Sequence, residues 1–139
     1  MPHSNHLLKV PTRGKSFHNI THEVSRLVAS APIQDGICSV FIRHTSASLI
    51  IQENADPDVL RDLETFFAKL IPENTSLYRH SMEGPDDMPA HIRSVLTKTT
   101  ESIPIVQHRL ALGTWQGLYL WEHRDRGSHR DIVVHLSGN

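Results

Sequence analysis

The order of patterns along the chain predicts one α+β domain, a largely antiparallel sheet or sandwich with two to three flanking helices. Three observations carry this. At 139 residues, 38% of them hydrophobic, the chain has the size and apolar content of a single core. Two stretches at helical spacing fall in its first half, with a shorter one after a loop rich in Gly and Pro. From Ile103 onward every apolar run reads as extended.

Residues 6–10 (H-L-L-K-V) read as a strand stopped by Pro11 and turned at Gly14. Thr21 is expected to cap a helix with Val24, Leu27, Val28 and Ala31 as its apolar stripe, ended by Pro32. The turn at Asp35-Gly36 precedes a buried strand over Ile37–His44, and Ala47–Glu53 is its successor. Asp56-Pro57 is a helix start, a carboxylate cap before proline in the first turn, with Leu60, Leu63, Phe67 and Leu70 as the core face. After a loop over 73–87, Pro89 is expected to open a short helix carrying Ile92, Val95 and Leu96. The remaining strands are I-P-I-V-Q, R-L-A-L, T-W-Q-G-L-Y-L-W-E-H and D-I-V-V-H-L, with Arg124–His129 as a polar hairpin connection. In the third of these, Leu118, Leu120 and Glu122 share one face while Tyr119, Trp121 and His123 share the other.

The formal charge is −1, so no global field draws the chain to nucleic acid or an anionic membrane. No apolar stretch approaches the ~20 residues of a membrane span, and no secretory signal is visible. The lone Cys38, in an apolar run, is expected to be a buried, inert thiol, which fits a cytoplasmic protein. The outlier is histidine, with eleven residues scattered along the chain.

The segment from His80 to His91 (H-S-M-E-G-P-D-D-M-P-A-H) places two imidazoles and the carboxylates of Glu83, Asp86 and Asp87 in twelve residues, punctuated by Gly84, Pro85 and Pro89. Such a loop does little for a core and has the composition of a metal or acid/base site. His80 and His91 can converge with His44, from a strand end, as three ligands of a divalent ion. Asp87, one helical turn before His91, is a further ligand or an orienting group. Glu53, Asn54, Glu83, Asp86 and Asp87 are the candidate catalytic groups. A histidine ending a buried strand is ordinarily a satisfied rim group, but the hydroxyls of Thr45, Ser46 and Ser48 follow His44 and can donate to phosphate or carbonyl oxygens. Thr114 and Gln116, in G-T-W-Q-G, alternate to one face, and Arg124 and Arg126 are available anion clamps, although such a turn is ordinarily just solvated.

The series H-T-S-A-S-L at 44–49, N-A-D-P-D-V at 54–59, E-G-P-D-D-M-P-A-H-I at 83–92 and L-G-T-W-Q-G-L-Y-L-W-E-H-R at 112–124 resembles the YjbQ-like family, over essentially the whole chain. Leu118 stands where isoleucine is common in that family. The resemblance implies an α+β fold assembled as a homotrimer, with polar clefts near subunit boundaries, and a thiamine-phosphate synthase activity. In that reaction a pyrimidine methyl diphosphate loses diphosphate as a thiazole phosphate nitrogen attacks the methylene carbon. It implies small-molecule substrates and a divalent cation for the leaving diphosphate, with Gln116, Asn54 and Glu53 as partners for the pyrimidine. Three histidines suit zinc, nickel or iron, whereas magnesium prefers carboxylates, waters and phosphate oxygens. The same residues fit a metal-dependent hydrolase of a small phosphorylated substrate, and a non-enzymatic ligand-binding trimer is the third reading.

Overall fold

Period-two burial runs through the long strands. In the computed structural model, which describes residues 1–139 apart from the Thr75 side chain, β1 (His3–Pro11), β5 (Thr100–Val106) and β8 (His129–Gly138) alternate between covered and open residues. That is the signature of a sheet with one face on a core. With β2 (Phe17–Asn19), β3 (Gly36–Ile42), β4 (Ala47–Glu53), β6 (Arg109–Leu110) and β7 (Gln116–Glu122), they form two antiparallel sheets. One has the order β1-β8-β3-β5-β6 and the other β2-β7-β4. The helices are α1 (Thr21–Ser30), α2 (Pro57–Leu70) and α3 (Asp87–Leu96), with a 3₁₀ turn at Thr75–Leu77. The α+β class expected from the sequence is the observed one.

The inner faces of the two sheets meet in one cluster, in which Val40, Ile132 and Val134 face Leu49, Leu118 and Leu120, and α1 closes it with Val24 and Val28. Cys38 lies inside this cluster, in the central strand of the larger sheet, and burial pushes its thiol up to about 12. The opposite face of β7 is covered as well. Trp121, fully buried, stacks on Phe17 at 4.4 Å between centroids and meets the edge of Phe67 of α2 at 5.0 Å. Its Nε1 donates to Glu64, which also pairs with the buried Arg93 of α3. This double cover is why β7 reads as an almost unbroken apolar run. Among the described residues, no helix is long and apolar enough to cross a membrane.

Several boundaries differ from expectation: β1 runs His3–Pro11 rather than 6–10 and takes in Pro11, and β5 begins at Thr100 rather than Ile103. α1 begins at Thr21 itself, whose amide donates to Asn19 Oδ1 (3.0 Å), while its hydroxyl accepts from Leu118 N (2.8 Å) and ties the helix to β7. α3 begins at Asp87, so Pro89 sits within its first turn, where a missing N–H breaks no helical bond. β3 ends at Ile42, leaving His44 in the following loop, and the short β2 was not foreseen. α2 starts as expected, with Asp56 Oδ1 accepting from Asp58 N at 2.9 Å. Asp56→Ala is expected to lower stability by about 1 kcal/mol, read as a lower urea midpoint at unchanged slope.

Candidate metal centre

The segment preceding α3 is shaped by Gly84, whose φ of +106° suits glycine, and is then pinned by one arginine. Arg124, just beyond β7, donates from Nε to Asp86 Oδ2 (2.8 Å), from Nη2 to the Glu83 carbonyl (2.9 Å), and pairs through Nη1 with Asp87 Oδ1 (2.7 Å). The Asp125 amide also donates to Asp86 Oδ2 (2.9 Å). Burial opposes ionisation of Asp86 and Asp87, yet Arg124 and the donors around both carboxyls outweigh it and hold them below the usual range.

With Oδ1 taken by Arg124, Asp87 turns Oδ2 toward two imidazoles. His80 Nε2 lies 2.6 Å from it and His91 Nε2, four residues along α3, lies 3.1 Å from it. These three ligand atoms all lie within 4.8 Å of one another, with the Asp87 residue 2% exposed. His91 Nδ1 is 2.9 Å from the Thr45 carbonyl, and a carbonyl oxygen only accepts, so Nδ1 carries the proton. In a neutral imidazole that leaves a lone pair on Nε2 aimed at a carboxylate oxygen, which is repulsive unless a cation lies between them. A proton on Nε2 or a metal ion meets that demand. A histidine whose outer nitrogen donates to a backbone carbonyl is also the usual arrangement of a metal ligand. Two imidazoles and one carboxylate suit zinc or a transition ion better than magnesium.

Beside His91 opens a cavity of about 330 Å³ lined by His44, Thr45, His91, Ser94, Val95, Thr97 and Thr99.

Residues 6–139 match the family described as "UPF0047 protein YjbQ-like". The chain belongs to the YjbQ-like UPF0047 family. The UPF0047 protein sll1880 of Synechocystis is 61% identical over 132 residues, covering 95% of this chain and 90% of that one. The YjbQ protein of Escherichia coli O157:H7 is 40% identical over 132 residues, covering 94% and 95%. A crystal structure of a YjbQ/UPF0047-family protein from Clostridium acetobutylicum superposes with a TM-score of 0.86 at 33% identity, covering 94% of this chain and 98% of that one.

Within this YjbQ-like chain the residues singled out from sequence separate into groups. His80, Asp87 and His91 converge, with Asp86 and Arg124 behind them. His44 does not join the ligand atoms, because its Nε2 accepts from the Asp131 amide at 2.7 Å. Arg124 is no open anion clamp, since its donors already hold Asp86, Asp87 and the Glu83 carbonyl. Ser48 is fully buried with its hydroxyl 2.8 Å from His123 Nε2, and Ser46 accepts from the buried Arg130 (3.0 Å). Neither faces a cleft: Ser48 lies where β4 pairs with β7, and Ser46, just before β4, is covered by Arg130 of β8. Thr45 stays exposed beside the cavity.

Glu53, Asn54, Thr114 and Gln116 lie elsewhere. The register pairs Ala47 with Glu122 at one end of β4 and Glu53 with Gln116 at the other. Six strand steps of about 3.3 Å put these ends about 20 Å apart. There Glu53 Oε2 accepts from the amides of Ala55 and Asp56 (3.2 Å each), and Asn54 Nδ2 donates to the carbonyls of Thr114 (3.0 Å) and Gln116 (3.2 Å). Gln116 Oε1 in turn accepts from Gly113 N (2.8 Å). Within the chain these side chains shape two turns rather than line the hollow at His91.

Three further residues are buried: Glu122 and His123, the pair that closes the β7 motif, and Arg130, which the sequence did not single out. Glu122, fully buried, pairs in bidentate fashion with Arg130, through Nε at 2.8 Å and through Nη2, and accepts from Thr12 Oγ1 at 2.6 Å. His123 lies beside Trp121 with its Nδ1 buried and unpartnered. The sequence signal was a Glu-His pair closing an aromatic strand. Burial, then the charges of Arg93, Arg130 and Lys15, lowers the His123 pKa to about 3. Below about pH 6.5 the unfolded chain binds a proton there and the folded chain does not, so stability falls as pH drops from about 6.5 toward 3. Over that window the loss is of order 4 kcal/mol, and His123→Gln is expected to flatten the decline of Tm with acidification.

Proposed function

We propose that this protein is a metal-assisted enzyme acting on small phosphorylated molecules, of the thiamine-phosphate synthase type, with His80, Asp87 and His91 holding the ion. The observation that carries the reading is the His91 imidazole, committed at Nδ1 to Thr45 and facing the Asp87 carboxylate through Nε2. When bound, a divalent cation there supplies positive charge to a leaving diphosphate oxygen. The chain's own part is to orient. Arg124 fixes Asp87 from behind, and the Thr45 carbonyl fixes the His91 ring. In the reaction the methylene–oxygen bond of the pyrimidine diphosphate breaks as the thiazole nitrogen forms the new carbon–nitrogen bond, and diphosphate departs with the electron pair.

Elemental analysis of freshly purified protein is expected to find close to one transition ion per chain. Diphosphate release is expected only when the pyrimidine diphosphate and the thiazole phosphate are both supplied, and is expected to stop after chelation. Turnover of either substrate alone would point to the second reading, a hydrolase with water as nucleophile. That reading is favoured by a donor set of two imidazoles and a carboxylate, common among hydrolytic zinc sites. The expected assembly is a homotrimer in the cytoplasm. A covered partner face would suit Leu7, Ile37 and Phe41, which lie about half exposed on the larger sheet, and sedimentation equilibrium tests it.

A further inference from the structure

The cavity beside His91 has a wall whose chemistry is set by one backbone bond. The Asp131 amide donates to His44 Nε2 at 2.7 Å. An amide N–H cannot accept, so Nε2 keeps its lone pair and the imidazole proton sits on Nδ1. A second proton would bring two hydrogens face to face. His44 is therefore held as a neutral donor. Burial and the nearby Arg130 charge lower its pKa, in keeping with this.

Apart from His91, the rest of the lining is uncharged. Among the described residues, the cavity is lined by no lysine, arginine or carboxylate. Ser94 Oγ donates to the Ala47 carbonyl (3.3 Å) and Thr97 Oγ1 to that of Arg93 (2.7 Å), so these hydroxyl protons are already used. Val95, 81% exposed, adds an apolar rim. A phosphate placed here would lose water and meet no lysine or arginine in the wall, the one cationic edge being at His91. At about 330 Å³ the space is at the small end for ligand pockets and suits one ring. Its His91 wall is shared with the proposed metal ligands, so an anionic group attached to that ring would reach the ion.

We infer that this cavity is a subsite for the uncharged, acceptor-bearing ring of the substrate, with His44 Nδ1–H as the donor that orients it. The inference deepens the metal-centre reading and rests on it for the placement of the anionic group. It does not rest on it for the ring.

The test uses full-length protein, ¹⁵N-labelled, zinc-loaded or chelator-treated, with 4-methylthiazole as the probe and 3-methylthiophene as its counterpart lacking the nitrogen acceptor. Long-range ¹⁵N–¹H spectra are expected to place the His44 proton on Nδ1. Methylthiazole, and not methylthiophene, is expected to shift the Thr45, Thr97 and Thr99 resonances, with or without zinc. Binding is expected to weaken about five- to tenfold in His44→Phe and to recover in His44→Asn, which returns a donor near Nδ1. Zinc affinity is expected to be the same in all three proteins. A proton on Nε2, no thiazole binding to the wild-type protein, or thiazole binding unaltered in His44→Phe would each overturn the inference. So would a tenfold loss of zinc affinity in that variant, which would make His44 a ligand. If His44→Phe fails to fold, the wild-type tautomer and His44→Asn binding decide. Intact thiazole binding in a protein that takes up no zinc would sink the metal reading and leave the subsite standing.

Discussion

Asp87→Asn is expected to lower zinc affinity by about 100-fold or more and to abolish diphosphate release with little change in fold. Among the described residues, this carboxylate alone has oxygens that face both His80 and His91 on one side and Arg124 on the other. Replacing it by an amide removes the negative charge that draws a cation between the rings. It also presents the amide nitrogen either to Arg124 or to the imidazoles, and each choice is unfavourable. The cleanest measurement needs no substrate. A ligand that binds only the native state raises Tm with its concentration, so zinc is expected to stabilise the wild-type protein and to leave Asp87→Asn unmoved. Equal zinc-induced shifts in the two proteins would remove the proposed centre. Arg124→Lys makes a milder companion. Lysine offers a single ammonium where the guanidinium reaches Asp86, Asp87 and the Glu83 carbonyl at once, and about tenfold weaker zinc binding is expected.

Glu122→Gln is expected to cost about 3–5 kcal/mol of stability, since it leaves Arg130 charged, buried and unpaired. Arg130 is 7% exposed, and its guanidinium also donates to the carbonyl (3.2 Å) and hydroxyl (3.0 Å) of Ser46. That contact holds the loop whose next carbonyl back, on Thr45, orients His91. The variant is therefore expected to weaken zinc binding along with stability, although Glu122 touches no ligand. Denaturant unfolding of Glu122→Gln, of Glu122→Leu, of Arg130→Met and of the Glu122→Leu/Arg130→Met double variant checks the origin of the effect. The double variant is expected to be more stable than Glu122→Gln, because no lone charge is left in the interior. Additive losses would show that the two residues act separately.

Much of the fold was legible because its signals are local. Asp56 before Pro57 is the cap its pattern predicts and Asp35-Gly36 marks the entry to β3, while of the expected stripe Leu60, Leu63 and Phe67 are half-buried and Leu70, at the helix end, is 55% exposed. The convergence of His80, Asp87 and His91 was partly legible for the same reason, since they are neighbours in sequence and the helix needs only four residues to align the last two, whereas His44, expected as the third ligand, lies apart from them. What could not be read was pairing at a distance. Glu53, Asn54 and Gln116 looked like neighbours of His44 because all lie at strand ends. Only the antiparallel register of β4 on β7 decides which ends coincide, and it sends these residues to the far edge. Likewise the tautomer of His44 depends on an amide 87 residues away, and the role of Arg124 depends on carboxylates about 40 residues earlier.

The position of Cys38 has a practical outcome. Its sulfur is buried in the middle strand of the five-stranded sheet, with a pKa near 12, so almost no thiolate is present or reachable in the native protein at neutral pH. An alkylating reagent will modify it only when that strand becomes exposed. Timed maleimide labelling, read by mass spectrometry, therefore gives the spontaneous opening rate of the native protein without denaturant or an engineered probe.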